Sequence, residues 1–232
     1  MKKVLFFAAL LVGSVSYGQR PTAESSPFSM EGVLNMTGQG ISWQAPTIRA
    51  RYFVNDNIAI RASIGLGDGM GTPQSESYTI ADTSDAIGSA DITRLAWNAQ
   101  VGGEYHLKGT ERMSPYFFLG VNFGAGSSNL STSDALPDGS GGYNYAAGSS
   151  FSREGSRSMI GVDLGAGLDV YVIDNLYLGL ELGLGWTSMT FDDIVTEVTT
   201  PIGSTVTEEL GYSQSFLGTS AGTAAIRLGW RF

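Results

Sequence analysis

The sequence predicts an all-β fold: an eight-stranded antiparallel up-and-down barrel that spans a membrane, with short turns at one end and long loops at the other. Three observations carry that prediction. Eight segments alternate apolar and small or polar residues with period two, the mark of strands with one apolar face. Their connections alternate in length, which suits an even-stranded barrel and gives a β-sandwich no reason to sort its loops by end. Nine aromatic residues, Tyr52, Phe53, Tyr105, Tyr116, Phe117, Tyr171, Tyr177, Trp230 and Phe232, fall within a few positions of the short-turn ends, as an interfacial girdle would.

In the first segment Phe28, Met30, Leu34 and Met36 interleave with Ser29, Glu31, Asn35 and Thr37. The second sets Ile48, Ala50, Tyr52 and Val54 against Arg49, Arg51 and Phe53, and the third sets Ile58, Ile60, Ala62, Ile64 and Leu66 against Ala59, Arg61, Ser63 and Gly65. The fourth carries Leu95, Trp97, Ala99, Val101 and Tyr105 opposite Arg94, Asn98, Gln100, Glu104 and His106. Phe117, Leu119, Val121 and Phe123 mark the fifth, with Gly120, Asn122 and Gly124 between them. In the sixth, Ile160, Val162, Leu164, Ala166, Leu168 and Val170 oppose Gly161, Asp163, Gly165, Gly167 and Asp169. "GLELGLGW" (179–186) gives the seventh, with Leu180, Leu182, Leu184 and Trp186 assigned to lipid and Gly179, Glu181, Gly183 and Gly185 to a narrow lumen. The eighth closes the chain with Ala224, Ile226, Leu228, Trp230 and Phe232 opposite Arg227, Gly229 and Arg231. Short turns follow segments two, four and six at 55–57, 108–114 and 173–175, and Gly, Ser, Thr and Asp-rich loops are expected at 38–46, 67–90, 126–156 and 192–214.

The first residues, "MKKVLFFAALLVGSVSYGQ", have two lysines, an apolar run and then small residues, the layout of a secretory signal. The expected organisation is therefore a signal peptide over 1–18 cleaved after Gly18, a flexible lead-in over 19–27, and the barrel over 28–232. The apolar run is well short of the ~20 residues a spanning helix needs, so insertion in lipid falls to β-structure. The chain has no cysteine, which excludes disulfides, cysteine catalysis and lipid attachment through a cysteine. Its 13 Lys and Arg against 22 Asp and Glu leave a net charge of −9, which disfavours nucleic acid as a partner.

From Phe28 to Phe232 the chain resembles the small eight-stranded outer-membrane β-barrels of Gram-negative bacteria, the OmpA-transmembrane, OmpX and OmpW-like group. The loop pattern and the terminal strand "AAIRLGWRF" carry the resemblance. It implies an integral protein of the cell outer membrane in contact with lipid and lipopolysaccharide. It also implies that Trp230 and Phe232 belong to a signal read by the barrel-assembly machinery. The group contains structural, adhesive, transport and enzymatic members, so function must be argued from the residues. No peptidoglycan-binding domain is expected after Phe232, in contrast to full-length OmpA.

Inward positions collect Glu31, Arg49, Arg51, Arg61, Arg94, Glu104, Asp163, Asp169, Glu181, Arg227 and Arg231. Charges inside a narrow barrel must pair, because an unpaired buried charge costs several kcal/mol. The expectation is a structural ion-pair network, with Glu31 facing Arg49 or Arg227. Eight strands leave an interior only wide enough for side chains, which disfavours open conduction. The single histidine, His106, sits beside a short turn, away from a substrate-accessible mouth, and residue 108 is Lys where lipid A deacylases of this size place a serine. No catalytic residue, cofactor or metal site is assigned. The acidic loop residues Asp68, Glu76, Asp82, Asp85, Asp192, Asp193, Glu197, Glu208 and Glu209 match no compact calcium-loop spacing, and "GDGMG" (67–71) and "GSGGY" (139–143) are read as turns. The expected function is a non-enzymatic surface or structural protein, or an accessory subunit of a larger outer-membrane complex. The alternative is a channel for small solutes or hydrophobic compounds, and an envelope lipid-modifying enzyme ranks last.

Overall fold

The structure is a computed structural model and describes residues 19–37, 40–66, 74–81, 87–218 and 224–232. The expected signal peptide, "GDGMG", Asp68, Asp82 and Asp85 lie outside the described residues. Among the described residues all regular structure is antiparallel β: β1 (Phe28–Thr37), β2 (Gly40–Asn55), β3 (Ile58–Leu66), β4 (Gln74–Ala81), β5 (Ile87–His106), β6 (Met113–Pro137), β7 (Tyr143–Ile173), β8 (Leu176–Phe191), β9 (Ile194–Thr200), β10 (Gly203–Glu209), β11 (Tyr212–Gly218) and β12 (Ala224–Arg231).

Among the described residues twelve strands form where the sequence predicts eight. The four additional ones, β4, β9, β10 and β11, occupy segments expected as long loops or bordering them. Expected loop 126–156 is also mostly strand: β6 and β7 stay in register from Met113↔Val170 to Pro137↔Tyr143, with one shift between Ser133 and Ala135. The reason is local. Runs such as Ser127, Ser128 and Asn129 are exposed at successive positions, so both faces of the ladder are solvated and no apolar alternation marks the strand.

Along their lower lengths β1 pairs with β2, β2 with β3, β3 with β5, β5 with β6, β6 with β7, and β7 with β8. On its other side β8 pairs with β12, which pairs with β1. Of the additional strands, β4 pairs with β5, β9 with β7, β10 with β9 and β11 with β8. The short turns have conventional chemistry. The Asn55 side-chain oxygen accepts from the Asn57 and Ile58 amides at 2.9 Å each, and Asn175 takes a left-handed φ of 68°.

The two faces of this sheet are inverted relative to a water-soluble protein. Ile48, Ile60, Ile64, Leu95, Phe117, Leu119, Leu164, Leu182, Leu184 and Leu228 are each more than half exposed. Between them Glu31, Arg49, Arg51, Arg61, Asp169, Glu181 and Arg227 are at most 3% exposed. Arg49 on β2 reaches Glu181 on β8, and Arg51 on β2 reaches Asp169 on β7, pairs of strands that do not hydrogen-bond each other. The sheet therefore curls around its charged face and leaves its apolar face outward.

Candidate functional site

Alternation on the lower strands aims one side chain from every second position at the buried face, and four arginines meet four carboxylates there. Arg49 donates to Glu181 at 2.7 Å and lies 3.4 Å from Glu31. Arg51 spans Glu104 at 3.0 Å and Asp169 at 2.8 Å, with its Nε donating to Ser29 Oγ. Arg227 spans Glu31 at 2.8 Å and Asp169 at 2.7 Å. Arg61 lies 3.1 Å from the Glu181 carboxylate and donates twice to Gln100 Oε1. The Tyr116 and Tyr177 hydroxyls complete the shell by donating to Glu181 (2.8 Å) and Glu31 (3.1 Å). Formal charge balances within this set, as burial demands. Above it, Gln100 and Asn122 hold Asp163.

Glycine makes the space. A Cβ on Gly179 would sit 2.5 Å from the Arg227 guanidinium, and one on Gly229 would sit 2.2 Å from the Tyr177 ring. At Gly167, Gly179 and Gly229 the missing side chain leaves room for Tyr116, Arg227 and Tyr177 of the adjacent strand.

The aromatic residues divide differently from the expectation. Tyr52, Tyr105, Phe117, Trp230 and Phe232 face outward, but Phe53, Tyr116, Tyr171 and Tyr177 are at most 3% exposed and form an inner floor rather than part of an external girdle. Arg231 stacks 3.6 Å from the Phe53 ring centroid, and Arg51 lies 5.0 Å from that of Tyr177. Residue parity separates the two sets: Phe53 and Tyr116 follow and precede outward aromatics, so only one of each pair can face outward.

His106 joins this floor. Its Nδ1 is 2.8 Å from Ser114 Oγ and its Nε2 is 3.1 Å from Glu104 Oε2, so a serine, a histidine and a carboxylate stand in line. The sequence does not single out Ser114, because its eight-residue separation from His106 crosses a turn. The three residues are at most 3% exposed, His106 packs on the Phe53 and Tyr116 rings, and Glu104 is already engaged by Arg51. In this arrangement the serine hydroxyl is buried, and the trio is one more part of the packed interior.

One predicted inward residue is elsewhere. Arg94 is exposed and donates to Gln74 Oε1 at 2.9 Å, because its stretch of β5 rises beyond β3 and pairs with β4 instead. Outside the interior, Arg153 lies 3.4 Å from Glu209, the Asp192 carboxylate accepts from Ser156, and Asp193 accepts from the Gly211 amide at 2.7 Å. Parts of the acidic outer region are thus engaged with neighbouring strands.

The chain is similar to outer-membrane β-barrel proteins of known structure. It is 15% identical to the N-terminal β-barrel domain of Pseudomonas aeruginosa OprF, covering 88% of this chain and 96% of that one with a TM-score of 0.32. For a major outer membrane protein from Thermus thermophilus the figures are 12%, 88%, 98% and 0.44. For Ail, the attachment invasion locus protein of Yersinia pestis, they are 14%, 94%, 100% and 0.33. No family model matches the chain, and no curated protein matches it.

Proposed function

We propose that this chain is a non-enzymatic integral protein of the bacterial outer membrane, in which eight strands close into a transmembrane barrel. It acts there as a surface or structural protein or as an accessory subunit of a larger outer-membrane assembly. The observation that carries this reading is the inversion of the sheet: an apolar belt faces outward on each of the eight lower strands, and the charges face inward. Along β5 the belt runs from Leu95 to Tyr105, eleven residues, which suits the ~9–11 that a tilted spanning strand uses. Pairings that lead from β7 through β6, β5, β3, β2, β1, β12 and β8 back to β7 support closure, the only way a sheet can satisfy its edges in lipid. A soluble protein rarely exposes an apolar patch beyond a few hundred Å².

The balanced interior favours a wall over a channel. Arg49, Arg51, Arg61 and Arg227 are held across the interior by carboxylates of several strands, and freeing a path would leave buried charges unpaired. The relevant partners are lipid, lipopolysaccharide, the assembly machinery that inserts the strands, and a neighbouring envelope protein. The test is extraction of the tagged protein from envelopes in mild detergent. We expect it in the outer-membrane fraction, with no single-channel conductance after reconstitution, and a stoichiometric companion identifies the subunit role. Recovery in the soluble fraction overturns the membrane reading, and steady conductance overturns the closed interior.

A further inference from the structure

The sequence predicts a flexible lead-in over residues 19–27, yet this segment is tied to all three short turns. At the turn over 55–57, the Ala23 amide donates to Asp56 Oδ1 at 2.7 Å and Arg20 Nη2 donates to the Asp56 carbonyl at 2.5 Å. At the turn over 108–114, the Arg20 amide donates to the Glu111 carbonyl at 2.6 Å. At the turn over 173–175, the Gln19 nitrogen donates to Asp174 Oδ1 at 3.0 Å. Two further bonds fasten the segment to the strands and floor: the Phe53 amide donates to the Pro27 carbonyl at 2.7 Å, and Arg231 Nε, from the buried face, donates to the Ser26 carbonyl at 2.6 Å.

We propose that residues 19–27 are a cap over the short-turn end that maturation completes, with Asp174 as the receiving site for a new amino terminus. The proposal rests on the reading of 1–18 as a cleaved export signal. A membrane-bound signal peptidase would add water across the Gly18–Gln19 amide, leaving a carboxylate on Gly18 and an amine on Gln19 that takes up a proton near neutral pH. The nitrogen already aimed at Asp174 thereby changes from an amide donor to an ammonium with three donors. A charge-assisted bond of that kind is about twice as strong as a neutral one. The turns place the carboxylates of Asp56 and Asp174 against a segment whose Arg20 and Glu24 cancel and to which the new ammonium adds one positive charge.

Cyclisation competes for the same nitrogen. An unprotonated Gln19 amine can attack its own side-chain amide, expelling ammonia and leaving a neutral lactam. Pairing with Asp174 keeps the lone pair protonated and opposes that step.

The experiment combines the intact mass and first residue of the protein purified from envelopes with amide hydrogen exchange on the full mature chain and on Asp174→Asn and Asp174→Glu. We expect a free amine on Gln19. We also expect exchange at Ala23 to accelerate about two- to fivefold in Asp174→Asn, the range for an exposed ion pair. Protection at Val121 should not change, and Asp174→Glu should restore part of the loss. A different first residue overturns the cleavage reading and with it the cap's completion. A correct first residue with unchanged exchange, or a cyclised terminus, overturns the ion pair while leaving the cleavage reading intact.

Discussion

β6 and β7 run side by side through two environments, and the same ladder obeys different rules in each. Low on the pair, Phe117 and Leu119 on β6 point outward while Tyr116 and Phe118 point inward, and along β7 the buried Asp163 and Asp169 stand at the opposite parity to the outward Leu164. Every residue there has one permitted side. High on the pair, Ser127, Ser128, Asn129, Arg153 and Glu154 are exposed regardless of parity. The difference teaches where specificity lies: register is enforced wherever a one-residue slip would move a buried charge to the apolar outer face, and above that level backbone pairing and scattered exposed side-chain ties such as Asn129 to Glu154 sustain the strands.

Removing one charge from each region makes the contrast quantitative. Glu181 serves Arg49, Arg61 and Tyr116 at once, so Glu181→Ala leaves two guanidinium groups undercompensated and should destabilise folding by about 3–5 kcal/mol. The matched substitution above, Arg153→Ala, breaks a pair with both side chains about half exposed and should cost ~0.2–1 kcal/mol. Urea unfolding of both variants in detergent, followed by tryptophan fluorescence, measures the gap. Equal midpoints would mean that the interior pairs are no more important than the surface one.

A smaller effect is expected from filling inner space without touching charge. The Cβ in Gly229→Ala would sit 2.2 Å from the Tyr177 ring, whose hydroxyl donates to Glu31, so the ring must move and strain that bond. Overpacking of this kind costs about 1–3 kcal/mol. Gly32→Ala on the partner strand meets nothing within 4 Å and is the control. A loss confined to Gly229→Ala in thermal melts supports tight inner packing, and identical melts would show that the floor yields.

Much of this was legible because a sheet with a buried charged face and an exposed apolar face turns burial into parity. Glu31, Arg49, Arg51, Arg61, Glu104, Asp169, Glu181, Arg227 and Arg231 can be assigned inward by counting twos, and the structure buries them. Parity does not give height, which is why Arg94, inward by count, stands above the paired rim beside β4. Nor does clustering near a turn give side: Phe53, Tyr116, Tyr171 and Tyr177 cluster with outward aromatics in the sequence, although their parity sends them to the floor. Strands such as β9 and β10 left no signal, since their Ser, Thr and Glu residues, with a few interspersed Val, show no sustained apolar alternation and read as loop. The ties of residues 19–27 were invisible because most use backbone groups, which sequence does not distinguish.

The smallest expected effect lies at the tip of the upper ladder, where Asp138 closes the turn between β6 and β7. Its carboxylate accepts from the Ser140 amide at 2.7 Å and the Gly142 amide at 2.9 Å, with Gly139 and Gly141 at positive φ between them. The Ser140 amide above all, helped by that of Gly142, holds this carboxyl below the ordinary Asp range. A lowered folded-state value means the carboxylate's contribution is fully present above the unfolded value of ~3.9 and is lost as pH falls through the lower one. The side chain is solvent-exposed, so the loss stays local to the turn. Following the Ser140 and Gly142 amide resonances by NMR should show both moving with one midpoint below ~3.9, while the Gly120 amide low on the ladder stays fixed. Asp138→Asn should remove the midpoint and leave the ladder paired. A shared acid transition at Gly120 and Gly142 would instead tie the tip to the charged interior and remove the division between the two regions.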